Sequence, residues 1–254
     1  MRRLLAAITL MFVAGGAARA EQLTIALSAR EVRIDSNFTG TSITIFGVVA
    51  RDAATVSRSG PYQVATLVVG PAESVVARRK DRFLGIWANG ASETILDVPS
   101  FYSVETSAPL DALAPADVLE RYGIGFSNIS LKLADMGPAD SDSREFRSAY
   151  IRLKQTARLY AERLGAVSFI DGNVFRSNIV IPANVPVGRY TVRVYLFSGS
   201  SLLATAEDSM DISKSGFEQY MSTVARGQSL TYGLACVALA LFTGWLAGVI
   251  FRRD

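Results

Sequence analysis

The stretch NVFRSNIVIPANVPVGRYTVRVYLFSGS (173–200) decides the fold class of this chain. Between Tyr190 and Phe197, apolar residues alternate with polar ones, as expected of a β-strand that buries one face. A proline-rich loop precedes this run, and Ser198-Gly199-Ser200 follows it as a turn. The same pattern of alternating apolar residues bounded by turn residues continues on either side. It predicts four strands, over 167–170, 174–181, 190–197 and 202–212.

Residues Ser141–Leu164, which precede these strands, have the spacing of an amphipathic helix. Asp142 is suited to cap its start, with Glu145 three residues further on, and Gly165 is suited to end it. Apolar residues recur along it at intervals of three and four positions: Phe146, Ala149, Tyr150, Leu153, Ala157, Tyr160 and Leu164.

Short β-branched runs dominate the region 21–108 and are separated by turn residues. They predict an immunoglobulin-like antiparallel β-sandwich. Residues 109–212 begin with a helix-start pattern around Pro115 and are predicted to form an α+β domain of helix and four strands. The fold class is therefore mainly β with α (α+β). Whether the two β-rich halves form one sandwich or two domains stays open.

Both ends of the chain predict a membrane topology. Residues 230–251, LTYGLACVALALFTGWLAGVIF, carry no charge and as a helix would extend about 33 Å, enough for a hydrocarbon core of about 30 Å. Residues 1–20, MRRLLAAITLMFVAGGAARA, have the regions of a signal peptide, with Ala18 and Ala20 at the cleavage site. An uncleaved N-terminal anchor is the alternative.

These segments predict a single-pass protein of the bacterial inner (cytoplasmic) membrane. After the large periplasmic domain come a juxtamembrane segment (213–229), a transmembrane helix (230–251) and a cytoplasmic tail (252–254). Arg252 and Arg253 follow the span directly, which agrees with the excess of positive charge on the cytoplasmic side of membrane proteins.

Composition argues against nucleic-acid binding and against disulfides. Without the charged residues of the two terminal segments, acidic and basic residues are nearly balanced, whereas nucleic-acid binding requires a basic surface. The single cysteine, Cys236, lies within the predicted span, so the exported part contains no disulfide.

The chain offers few residues for catalysis. It has no histidine, which removes most general-base and zinc sites. It also lacks the G-x-S-x-G and S-x-x-K nucleophile motifs and the phosphate-binding P-loop. The acidic cluster of Glu207, Asp208 and Asp211 keeps a carboxylate-based envelope hydrolase open, although such clusters more often lie on solvated strand edges. We therefore expect no enzyme activity, no cofactor and no metal.

Small residues recur every four positions along the predicted membrane helix, at Cys236, Ala240, Gly244 and Gly248. Such a stripe lets another helix approach closely, so it is a candidate packing face for a second copy or for an integral membrane partner such as a transporter. Chance alignment of residues common in membrane helices is the alternative.

The predicted soluble helix also has a basic face, formed by Arg144, Arg147, Lys154 and Arg158. Such a face can meet acidic lipid headgroups, an acidic partner or an anionic ligand. The alternative is a solvated surface whose charges pair with acids elsewhere in the fold.

Several segments resemble the alphaproteobacterial "putative transmembrane protein" family. They are EFRSAYIRLKQTARLYAERLG (145–165), NVFRSNIVIPANVPVGRYTVRVYLFSGS (173–200), KSGFEQYM (214–221), YGLACVALALFTGWLAGVIFRR (232–253), IDSNFTGTSITIFG (34–47) and PSFYSVETSAPL (99–110). The resemblance implies a periplasmic domain with one C-terminal span. It also implies a transporter-linked role, because such proteins are often encoded beside sulfite-exporter-type permeases.

Together these features predict a non-enzymatic, membrane-anchored periplasmic protein that serves a membrane partner, such as an anion transporter, as an accessory or scaffold subunit. The alternative is a periplasmic module that binds a small anion, which requires Arg189, Arg193 or the helix arginines to converge on a pocket. A carboxylate-based hydrolase is the third hypothesis.

Overall fold

A computed structural model of the chain describes residues 21–50, 61–83, 86–133, 141–215 and 229–250. The described part is mainly β, with several sheets and some helix, as predicted. Its strands are β1 (Gln22–Leu27), β2 (Glu31–Ile34), β3 (Gly40–Ala50), β4 (Gln63–Val69), β5 (Ala72–Phe83), β6 (Ile86–Pro99), β7 (Tyr102–Thr106), β8 (Lys132–Leu133), β9 (Tyr160–Arg163), β10 (Ser168–Asp171), β11 (Val174–Pro182), β12 (Gly188–Ser198) and β13 (Ser201–Lys214). Its helices are α1 (Leu110–Leu113), α2 (Ala116–Tyr122), α3 (Ser141–Thr156) and α4 (Ser229–Ile250), with a 3₁₀ turn at Phe126–Asn128.

The described strands form three sheets. The first has the order β1-β3-β11-β10, the second β2-β13-β12-β4-β7-β9, and the third β5-β6-β8. Strands from both sides of residue 108 share the first two sheets, since β3 pairs with β11 and β4 with β12. The predicted boundary between 21–108 and 109–212 therefore does not separate two sets of sheets.

The four strands predicted around residues 173–200 are present as β10 to β13. The hairpin between β12 and β13 turns through Gly199 and Ser200, which both have positive φ, at 54° and 65°. Positive φ at both central residues is typical of the two-residue turn that matches the natural twist of paired strands. The strand pairs at two sheet edges, β2–β13 and β7–β9, are parallel, so the expectation of a wholly antiparallel arrangement was wrong there.

One hydrophobic core lies between the first two sheets. In β12, Tyr190, Val192 and Val194 are fully buried, as their alternation predicts, and they belong to the same buried cluster as Phe175 of the facing sheet. The Phe175 ring lies against Gly47 of β3, where an added Cβ would come within 2.0 Å of the ring. Only glycine at position 47 lets this ring fill the core.

A buried carboxylate connects the two facing sheets. Glu105 of β7 is 1 % exposed and accepts hydrogen bonds from two groups of β11, the Ser177 hydroxyl at 2.6 Å and the Asn178 backbone N–H at 3.0 Å. Arg163 of β9 forms an ion pair with the same carboxylate. A buried charge is strongly unfavourable unless it is both paired and hydrogen-bonded, and here both conditions are met.

The predicted helix Ser141–Leu164 is too long, because α3 ends at Thr156. The chain turns at Arg158, which has a φ of 58°. The Leu159 N–H donates to the Lys154 carbonyl at 2.9 Å, and the Arg158 N–H donates to the Gln155 carbonyl at 2.9 Å. This pair of hydrogen bonds is the Schellman arrangement that closes a helix C-terminus.

Residues Tyr160–Arg163, predicted to be helical, instead form β9 and pair in parallel with β7. The apolar spacing through Tyr160 and Leu164 fits a helix locally, but pairing with a strand distant in sequence decides the conformation. Gly165, predicted to end the helix, lies after β9 with a φ of 72°. The predicted capping contact of Asp142 involves a side chain outside the described residues.

The region 109–122 forms two short helices, α1 and α2, and Pro115 lies immediately before α2, as its helix-start pattern predicts. Gly123 ends α2 in the left-handed conformation, with a φ of 64°.

The helix α4 covers most of the predicted membrane span, and its long apolar side chains, among them Leu239, Leu241 and Trp245, are exposed. Within the part of the chain that the structure describes, no helix is both long and apolar enough to cross a membrane. The span over 230–251 stays a prediction. The signal segment 1–20 with Ala18 and Ala20, residues 216–228 and the tail lie outside the described residues.

The Glu105 carboxylate should be a main determinant of stability. Glu105→Gln removes the charge that pairs with Arg163, so we expect the free energy of unfolding to fall by about 2 kcal/mol. Urea unfolding followed by circular dichroism measures this change. The control Glu207→Gln breaks an exposed ion pair with Arg193 and should change stability little. Equal effects of the two substitutions would contradict the proposed importance of burial.

The helix end at Arg158 predicts a stabilising substitution. Arg158→Gly relieves the strain of a side chain at positive φ, so we expect the free energy of unfolding to rise by about 0.5 kcal/mol. The matched control, Arg152→Gly, places glycine at an exposed position inside α3 and should lower it by about 1 kcal/mol. If both glycines destabilised equally, the helix would not end at residue 158.

Candidate functional site

An apolar groove of about 470 Å³ lies between α3 and β5. Its walls include Val75, Val76, Ala149, Tyr150, Leu153 and Leu159. Consecutive residues 75–79 of β5 all line the groove. Since neighbouring residues of a strand point to opposite faces, the groove follows the edge of β5 and not one face of its sheet.

The chain path brings β5 and α3 together at one end of the six-stranded sheet. Val69 at the end of β4 pairs with Tyr102 at the start of β7. The chain therefore leaves the six-stranded sheet to form the hairpin β5–β6 and returns to the sheet at this same end. Tyr102 also pairs with Tyr160, the first residue of β9, so the segment that carries α3 enters the sheet at the same end. The start of β5 therefore lies beside the end of α3.

An ion pair closes this end of the groove. The Lys154 ammonium of α3 lies 2.5 Å from the Glu73 carboxylate of β5 and donates to the Ser100 carbonyl at 3.2 Å. It also lies 5.6 Å from the ring centroid of Tyr150 and 6.0 Å from that of Tyr160. The Lys154 side chain is only 14 % exposed, so these partners, rather than water, stabilise its positive charge.

Tyrosines pack beneath the ion pair. Tyr160 donates its hydroxyl to the Pro99 carbonyl at 2.7 Å, and Tyr102 donates to the Gly123 carbonyl at 2.8 Å. Their rings lie 5.8 Å apart, and the Tyr150 ring meets that of Tyr160 edge-on at 6.0 Å. Burial raises the pKa of Tyr150 to about 12, and burial also raises the pKa of Tyr102 and of Tyr160 above the ordinary tyrosine range.

The predicted basic face is divided among different environments. Arg147 donates to the Ser127 and Ile129 carbonyls, at 3.0 and 2.6 Å, and so connects α3 to the preceding loop. Lys154 lies in the groove, whereas Arg144 and Arg158 are exposed. The structure therefore does not bring the four side chains into one solvated patch.

The acidic cluster and the strand arginines form pairs with one another. Arg193 lies 2.9 Å from Glu207, and Arg189 lies 3.4 Å from Asp211, across the β12–β13 pair. Asp208 pairs with Arg30 at 2.9 Å. Among the described residues there is no group of three or more acids or cysteines that could hold a metal ion.

The small residues of α4 face open space. Cys236 is exposed, and an added Cβ at Gly244 or Gly248 would have no neighbour within 4 Å among the described residues. Larger side chains at these two glycines are therefore compatible with the rest of the described chain.

A comparison with protein-family models places these features in a family. Residues 22–253 match the model of the family described as "Putative transmembrane protein". The chain belongs to this family. The resemblance seen in the sequence is therefore confirmed. No curated protein matches the chain.

Sequence reasoning did not identify the groove. Glu73 and the edge of β5 were not singled out, because their importance comes from their contact with α3, far along the chain. The only local signal is the change within β5 from apolar Val75-Val76-Ala77 to basic Arg78-Arg79-Lys80.

The raised pKa of Tyr150 predicts a loss of stability at alkaline pH. Below pH 10 the phenol is protonated in the folded and the unfolded chain, and its contribution to folding is complete. Between pH 10 and about 12 the unfolded chain loses this proton first, so stability should fall. In urea unfolding of the detergent-solubilised chain between pH 8 and 11.5, Tyr150→Phe should weaken this fall. An identical pH dependence in both proteins would contradict the prediction.

Proposed function

We propose that this protein is a non-enzymatic membrane-anchored protein whose β-rich domain lies in the periplasm. One observation carries the proposal: α4 exposes long apolar side chains within a segment that carries no charge. Exposure of so much apolar surface to water is unfavourable, and a lipid bilayer is the environment that suits it.

The sequence of the whole segment supports the anchor. Residues 230–251 would extend about 33 Å as a helix, against about 30 Å of hydrocarbon. Arg252 and Arg253 favour a cytoplasmic C-terminus, and the signal-peptide pattern of residues 1–20 favours export of the domain. Membership of a family described as transmembrane agrees with this topology.

We further propose that the protein is an accessory or scaffold subunit for a membrane partner such as an anion transporter. The small-residue stripe of Cys236, Ala240, Gly244 and Gly248 supports this role, since it would let a partner helix pack closely in lipid. An immunoglobulin-like sandwich remains our proposal for the exported domain, supported by the core shared between two facing sheets.

The alternative is a module that binds a small anion. A hollow of about 810 Å³ whose lining includes Arg158, Arg163 and Asn184 favours it. Against it, Arg163 already forms an ion pair with Glu105, and Arg189 and Arg193 are paired elsewhere, on β12 and β13. The accessory role is therefore the better-supported proposal.

Co-purification from native membranes tests the accessory role. We expect the tagged full-length protein, extracted in mild detergent, to bring down an integral membrane protein. The double variant Gly244→Leu, Gly248→Leu should lose it, because leucine prevents close helix approach. The control Ala238→Leu places a leucine on another side of α4 and should retain the partner.

Alkaline carbonate extraction of the same membranes tests the anchor separately. The full chain should stay with the membrane pellet, and a chain truncated after residue 228 should be released. In the co-purification experiment, recovery of a lone monomer from the wild type, the double glycine variant and the Ala238→Leu control would contradict the accessory role. It would favour the anion-binding alternative.

A further inference from the structure

We propose that the groove between α3 and β5 binds an extended segment of another polypeptide, which adds a strand to the edge of β5 and alternates apolar with acidic residues. This inference concerns a second surface, separate from the membrane helix, and does not depend on the anchor.

The first support is the open edge of β5. This strand is the outermost of its sheet and pairs on one side only, with β6. Within the described residues, the opposite edge has no backbone hydrogen bond to a further strand. Half of the backbone N–H and C=O groups along residues 75–79 therefore point into the groove, where an added strand would satisfy them.

The second support is the regularity of β5. The bulges of the β5–β6 pair lie in β6, which has an extra residue opposite Glu73–Val75 and another opposite Arg78–Lys80. β5 itself thus keeps an unbroken alternation of faces. At about 3.3 Å per residue, the groove-lining stretch 75–79 would accommodate about five residues of an added strand.

The apolar walls specify one face of the added strand. Val75 and Ala77 pack against the domain core on one face of β5, and the wall opposite is formed by Tyr150 and Leu153 of α3. Leu153 is 66 % exposed although it lies at the groove. Apolar side chains on the inward face of an added strand would fill this space and cover Leu153.

The charges specify the other face. Arg78, Lys80 and Arg82 are exposed at alternate positions of β5, so they form a basic row on its outward face. Acidic residues at alternate positions of an added strand would lie directly opposite them, and such cross-strand pairs are favourable. Antiparallel pairing of β5 with β5 of a second copy, centred on Lys80, would instead oppose like charges, so the basic row disfavours self-association in this register.

The ion pair between Arg79 and Glu145 lies at the mouth of the groove. Its 3.7 Å separation and the exposure of both side chains make it weak. It can therefore open when a segment enters the groove. At the closed end, the Lys154–Glu73 pair limits how far the segment extends along β5.

Fluorescence anisotropy of labelled peptides tests the proposal with the full chain in detergent micelles. The probe alternates four valines with four glutamates, and its counterpart carries lysine in place of glutamate. We expect saturable binding of the glutamate peptide, at least ten-fold tighter than that of the lysine peptide. No saturable binding, or equal binding of both peptides, would overturn the proposal.

Backbone methylation tests strand addition itself. The valine nitrogens of the probe lie along one edge of an extended peptide and the glutamate nitrogens along the other. Only one edge can pair with β5, so N-methylation of one set should weaken binding at least ten-fold while methylation of the other set is tolerated. Equal tolerance of both sets would exclude strand addition. Hydrogen exchange should also slow at the amides of residues 75–79, and unchanged exchange there would overturn the proposal.

Protein variants locate the site. Leu153→Arg places a charge in the groove at an exposed position, and Ala149→Trp fills the groove. Each should weaken binding at least ten-fold while the circular dichroism spectrum is retained. The control Ile170→Arg changes an equally exposed apolar residue on β10, in a different sheet, and should bind as the wild type does. Loss of binding in the control, or unaltered binding in Leu153→Arg, would place the site elsewhere.

Discussion

The pairing of β3 with β11 and of β4 with β12 is the constraint on which the rest of the structure depends. These pairs join strands from opposite parts of the chain, so both facing sheets close only when the whole domain has assembled. The chain segments that connect these strands must therefore leave the two sheets and return to them. The hairpin β5–β6 does so between β4 and β7, and the helices do so between β7 and β9. Because both excursions meet at Tyr102, they lie side by side and create the groove.

Charged residues have different roles according to their depth. Glu105 of β7 is buried and bound by groups from two other strands, β9 and β11, so it holds the facing sheets together. Lys154 and Glu73 are half-buried and close one end of the groove. The row of Arg78, Lys80 and Arg82 is exposed along an open strand edge, where charge prevents indiscriminate pairing and can also select an acidic partner. An open basic strand edge beside a groove that is closed at one end is suited to binding an acidic polypeptide segment.

The two proposed interaction surfaces differ in their physical chemistry. A helix partner of α4 would be selected by close packing of small residues in lipid. A segment bound at β5 would be selected in water by backbone hydrogen bonds, an apolar face and charge. An accessory protein that uses both could hold a membrane partner by its helix and one of its extended exported segments by the groove.

The sequence alone determined the elements whose signals are local. The alternation in β12, the Gly199-Ser200 turn and the apolar run of α4 each depend on neighbouring residues, and each was predicted correctly as an element. Residues Tyr160–Arg163 were assigned to a helix because their spacing fits one, and only the parallel pairing with β7 makes them a strand. The groove likewise has no local signal, since β5 and α3 become neighbours only through strand order. Tertiary structure decided these features because hydrogen bonds between distant strands outweigh the weak preferences of a short segment.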